Sequence, residues 1–116
     1  MKMVYVAGPF RASTPWGIEC NVRHAEALAL EVWRMGAACL CPHANTRYFD
    51  GAAPDHIWLE GDIEMLSRCD AIVMTDNYEN STGAKAEREY AIEHNIPVYY
   101  GGVWLSMEML KIFINS

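Results

Sequence analysis

A chain of 116 residues has room for one ordinary hydrophobic core and not for two. Its apolar content of 52% and charged content of 21% are those of a soluble globular fold. The formal net charge of −6 argues against a polynucleotide partner, whose phosphates would need a basic stripe, but is compatible with a single nucleotide.

Taken in chain order, Met3 to Ala7 is a β-branched and aromatic run closed by Gly8-Pro9, which predicts a first strand. Thr14-Pro15 is a helix start, Thr as cap and Pro at the first helical position. Ile18, Val22, Ala25, Ala29 and Val32 then recur near one face, predicting a helix to about Met35, stopped by Gly36. Ala37 to Cys41 reads as a second strand ended by Pro42. His43 to Pro54 is irregular and long for a connection, which predicts a functional loop. Asp55 is expected to cap a helix running through Arg68. Ala71 to Thr75 is an apolar third strand, Gly83 to His94 a third helix ended by Asn95, and Pro97 to Tyr100 a fourth strand. After Gly101-Gly102, Val103 to Ile114 predicts a last helix, with a fifth strand near the end possible but not placeable.

This alternation predicts a single α/β domain over residues 1–116, a flavodoxin-like three-layer sandwich with a parallel sheet of four or five strands. Ligands of such sheets bind beyond the carboxyl ends of the strands, at the topological switch point. That rule gathers Gly8 to Trp16, Pro42 to Asp50 and Asp76 to Gly83. The run S-T-G-A-K-A-E, Ser81 to Glu87, joins the third strand to the third helix. Its hydroxyl and the free N–H groups around Gly83 form an anion cradle, with Glu87 about one turn away. Gly8 permits close approach of backbone to a ligand, and Arg11 can pair with a phosphate or carboxylate. Asp62 sits inside a helix, where propensity disfavours Asp; spacing alone makes it an exposed polar residue. His43 is placed to hydrogen-bond a ligand. Tyr5, Phe10, Trp16, Tyr48, Phe49 and Trp58 can wall a base-binding pocket or serve as core.

The four cysteines, Cys20, Cys39, Cys41 and Cys69, make no C-x-x-C pair and read as reduced core thiols of a cytoplasmic protein. With the four histidines they show no zinc spacing, so no metal and no cofactor is expected. No apolar run is long enough for a signal peptide or membrane span. G-x-G-x-x-G, G-x-S-x-G and a Walker loop are all missing.

Y-V-A-G-P-F-R (Tyr5 to Arg11), D-I-E-M-L-S-R-C-D-A (Asp62 to Ala71) and S-T-G-A-K-A-E together resemble the nucleoside 2-deoxyribosyltransferase-like superfamily. T-P-W (Thr14 to Trp16), C-P-H (Cys41 to His43) and F-D-G-A-A-P-D (Phe49 to Asp55) look like one branch of it, the uncharacterised DUF4406 family of small bacterial and phage proteins. The resemblance covers nearly the whole chain. It implies cleavage or transfer at the N-glycosidic bond of a nucleotide or nucleoside, by hydrolysis or 2-deoxyribosyl transfer. It implies Glu87 as nucleophile and Asp62 as the carboxylate that orients substrate and manages protons. Ser81 and Arg11 match phosphate-binding residues of the monophosphate hydrolases, and Tyr5 and Gly8 match the first-strand turn that lines the site. At Pro9 the chain departs from those hydrolases, which have a serine there; Pro9 brings neither hydroxyl nor N–H. The resemblance also implies a homo-oligomer, with Val103, Trp104, Leu105, Leu110, Ile112 and Phe113 either at its interface or packed on their own sheet. A non-catalytic nucleotide-binding or sensing module is the alternative on the same fold, and breakdown of a dinucleotide such as NAD and a scaffold for protein contacts are further ones.

Overall fold

A computed structural model describes residues 1–116. Four parallel strands, β1 (Met3–Ala7), β2 (Ala38–Leu40), β3 (Ala71–Met74) and β4 (Val98–Tyr100), form one sheet in the order β2-β1-β3-β4. The register pairs Tyr5 with Leu40 on one side and with Ile72 on the other, and Met74 with Tyr100. The chain leaves β1 toward β2 and later returns to its other side as β3. β1 therefore stands at the switch point.

Five α-helices, α1 (Pro15–Arg34), α2 (Pro42–Asn45), α3 (Asp55–Ser67), α4 (Thr82–Glu93) and α5 (Trp104–Ile114), and one 3-10 turn, Tyr78–Asn80, complete the chain. α1 starts as its sequence predicts, Thr14 Oγ1 accepting from Gly17 N at 3.0 Å with Pro15 next. It ends at Gly36, whose φ of 102° suits glycine. α1 and α5 cover one face, where Val4, Val6 and Val73 meet Leu28, Val32 and Leu110. α3 and α4 cover the other, where Tyr5, Ile72 and Met74 meet Leu66, Ala84 and Ala91. The result is the three-layer α/β sandwich of flavodoxin type. Each fully buried Val, Leu or Ile contributes roughly 1.5–3 kcal/mol by leaving water.

The sheet has four strands, within the expected four or five, and the chain closes with α5. Other expectations need correction. Asp55 is not a cap: Pro54 holds that position, with no side-chain bond, and Asp55 lies in the first turn of α3. The stretch after β2 is not wholly irregular, because Pro42 starts the one-turn helix α2. Cys41 and Cys69 are buried and Cys39 half-buried, but Cys20 is exposed and so not a core thiol. Within α5, Leu110 is buried and Phe113 packs on Tyr99 with ring centroids 5.9 Å apart. Val103, Trp104, Leu105 and Ile112 stay exposed. No helix is long and apolar enough to cross a membrane.

Candidate functional site

α3 buries only Leu66 fully. A cavity of about 660 Å³ lies between α3, α4, the end of β1 and α2. The site candidates Tyr5, Gly8, Arg11, His43, Asp62, Ser81, Gly83 and Glu87 all line it. Of the aromatic residues proposed as walls, Tyr5, Phe10 and Trp58 do so. Phe49 stands behind Trp58, ring centroids 5.6 Å apart, while Trp16 and Tyr48 are exposed elsewhere.

Tyr5 is fully buried on β1, and its hydroxyl donates to Glu87 Oε2 on α4. Strand and helix thus fix this carboxyl from two directions. Glu87 is pushed up to about 8: burial raises it most, the Tyr5 bond pulls it part of the way back, and the charge of Asp62 adds to the rise. Burial likewise raises Asp62 to about 6. The Tyr5 hydroxyl is driven far above the ordinary phenol range, first by burial and then by Glu87 and Asp62, so it remains a proton donor. A phenol, a carboxyl held largely protonated at neutral pH and a second, mostly ionised carboxylate therefore face one space.

The remaining candidates have different local duties. Ser81 Oγ accepts from Ala84 N at 3.0 Å, capping α4, while its own hydroxyl proton stays free to donate. Arg11 does not stand open: its guanidinium lies 2.5 Å from Asp55 Oδ2 in an exposed pair at the rim. His43 is buried, and its Nε2 donates to the carbonyls of Gly8 at 3.0 Å and Pro9 at 2.9 Å. Two carbonyl acceptors place its proton on Nε2, and burial lowers its pKa, keeping it neutral. Its Nδ1 has no partner. His43 thus pins the β1 loop. Gly8 is required by packing: a Cβ there would lie 2.4 Å from Thr75 Oγ1 and 2.6 Å from Thr75 Cγ2. Gly8 therefore has a packing duty toward Thr75 as well as its place in the cavity lining. Gly83 is the opposite case, since a Cβ would meet nothing nearer than Ser81 Oγ at 3.9 Å.

A family model described as a domain of unknown function, DUF4406, matches residues 2–100. The chain belongs to the DUF4406 family. The matched span runs from β1 through β4 and includes every residue that lines the cavity. No protein with a curated function matches this DUF4406 chain. Thr46, Asp50 and Asn80 line the cavity from within the stretches expected at the ligand edge, though not singled out there, whereas Asp55 lies outside those stretches. Asp55 had a signal, the acidic residue after Pro54, but it was assigned to the helix end. The partner it actually meets lies across the loop at Arg11.

Proposed function

We propose that this DUF4406 protein cleaves, or transfers at, the N-glycosidic bond of a nucleoside or nucleotide, with Glu87 as nucleophile. The observation that carries this is the Glu87 carboxyl held by the Tyr5 hydroxyl in a cavity that also receives Asp62. Departure of the base builds oxocarbenium character at C1′. Glu87 forms the bond to C1′ as the base leaves, and water or a second base then displaces it. Asp62 takes the proton of the incoming water or orients the sugar. The likeness to the nucleoside 2-deoxyribosyltransferase-like superfamily supports the same roles. Incubation with a panel of nucleosides and monophosphates, followed by chromatography for free base, tests the proposal. Release by the wild type and its loss in Glu87→Ala are expected; equal release by the variant would remove Glu87 from the role.

A nucleophilic carboxyl must be ionised, so the rate should rise with pH through about 8. The Tyr5 bond favours the ionised form, so Tyr5→Phe should move that midpoint upward and lower the rate at neutral pH about 10- to 100-fold. A midpoint that stays in place in Tyr5→Phe would uncouple the pair.

Gly83 opens the cavity at the start of α4 without any packing need. Gly83→Ala should stabilise the fold by roughly 0.5–1 kcal/mol, read by chemical denaturation, while weakening nucleoside cleavage by narrowing the space. Exposed Val103, Trp104, Leu105 and Ile112 on and beside α5 fit the proposal of a homo-oligomer.

A further inference from the structure

The charges that line the cavity are lopsided. Asp50, Asp55, Asp62 and Glu87 bring four carboxyl groups, and Arg11 is the single cationic side chain among the lining residues. Arg11 is already matched by Asp55 at 2.5 Å. Ser81 Oγ accepts the Ala84 N–H and so works as a helix cap. The loop of β1 offers Pro9, which has no N–H, and turns its Gly8 and Pro9 carbonyls to His43. A phosphate entering here would find the Ser81 hydroxyl and the first N–H groups of α4 as donors, but its only cation would be an occupied guanidinium amid an excess of carboxyl groups. A cation would meet the reverse: Asp50 and Asp62 without a cationic partner in the cavity, and the aromatic walls Phe10 and Trp58, all favourable to positive charge.

Resting on the glycosidic function above, we propose that the substrate is a nucleoside without a 5′-phosphate whose base carries a positive charge at the glycosidic nitrogen ring, an N-quaternised or pyridinium-type glycoside. The chemistry closes without a proton donor for the leaving base. The C1′–N bond breaks with its electron pair passing to nitrogen, and the base departs neutral. Glu87 Oε bonds to C1′. Water then attacks C1′, the ester bond returns its electrons to Glu87, and the water proton leaves through Asp62 to solvent. The sum is cationic nucleoside plus water giving neutral base, free sugar and a proton. Asp62, mostly ionised near neutral pH, is suited to accept that proton rather than to protonate a base.

Two ligand pairs test this. Nicotinamide riboside and nicotinamide mononucleotide differ only by phosphate; 7-methylguanosine and guanosine differ in the charge of the base. Each is measured with the full chain by calorimetric binding and by release of free base. The riboside and the methylated cation should bind about tenfold or more tighter than their partners, with the advantage shrinking at high salt. Asp55→Asn should narrow the gap between riboside and mononucleotide by releasing Arg11. Equal or tighter binding of the mononucleotide, equal binding of guanosine and its cation, or binding of none of the four overturns the proposal. Tight binding of the cations with no base released keeps the charge preference and instead overturns the glycosidic function. Faster release from the mononucleotide keeps the glycosidic function and overturns the proposal that the substrate lacks a 5′-phosphate.

Discussion

Glu87→Gln should release base at least about 10³-fold more slowly than the wild type, because removing a nucleophile removes the covalent step. The same substitution should make the protein more stable at neutral and alkaline pH. An ordinary Glu carboxyl ionises near 4.5, and in the fold Glu87 does so at about 8. Between those values the folded chain holds a proton that the unfolded chain has given up. The stability tied to that proton is complete below about 4.5 and is lost as pH rises through about 8. Gln cannot ionise and can still accept the Tyr5 hydroxyl, so the variant keeps what the wild type loses. Its advantage should be small near pH 5 and grow to on the order of 3–5 kcal/mol near pH 9. Urea denaturation at the two pH values measures it. A variant that loses activity without gaining stability at high pH would mean that burial does not burden this carboxyl.

A functional group that costs stability is what a site, rather than a surface ornament, requires. Glu87 was legible from sequence because the S-T-G turn fixes where α4 begins, and α4 then brings the carboxyl over β1. Tyr5 was legible as a lining residue but not as a partner of Glu87. The two are far apart in the chain, and only the parallel register of β1 with β3 brings α4 over Tyr5. Asp62 was ambiguous for a physical reason. α3 buries one residue fully, so its periodicity carries little information about which face is inward. Asp62 lines the cavity all the same. The strands were the easiest part, because β1 and β3 are short apolar runs closed by Gly8-Pro9 and by polar Thr75-Asp76. The pairs Arg11–Asp55 and His43 with Gly8 and Pro9 were invisible, since each joins the loop after β1 to the start of a later helix, and their meeting depends on the crossover through α1 and β2.

The exposed residues of α5 show the same limit. Sequence left Leu110 and Phe113 in one class with Trp104 and Leu105. The helical phase separates them: Met107, Leu110 and Ile114 turn inward, while Trp104 keeps 76% of its surface open. The outer face is the one that an assembly of copies would cover, and size-exclusion chromatography of Trp104→Glu would register its loss.

Gly8→Ala should be among the most damaging single-methyl changes in the chain. The new Cβ would lie 2.4 Å from Thr75 Oγ1 and 2.6 Å from Cγ2, in a fully packed sheet where neither strand can retreat. Overpacking of this kind costs roughly 1–3 kcal/mol. Relief must come from the β1 loop, and that loop carries the carbonyls that His43 holds as well as Arg11 at the rim. Cleavage should therefore fall along with stability. Thr75→Ala removes both offending atoms and leaves Thr75 Cβ at 3.1 Å from the new methyl, a contact that a small shift absorbs. On its own Thr75→Ala gives up the 2.8 Å bond from its hydroxyl to Asn77 Oδ1. The double variant should nonetheless be less destabilised than the sum of the two singles by about 1 kcal/mol or more. It should also regain most of the cleavage lost in Gly8→Ala. Additive costs would show that the strands do not meet at this point, and the packing account of Gly8 would fall. Recovery of stability without recovery of cleavage would separate the two duties of the turn, leaving Gly8 as a residue that the site itself requires.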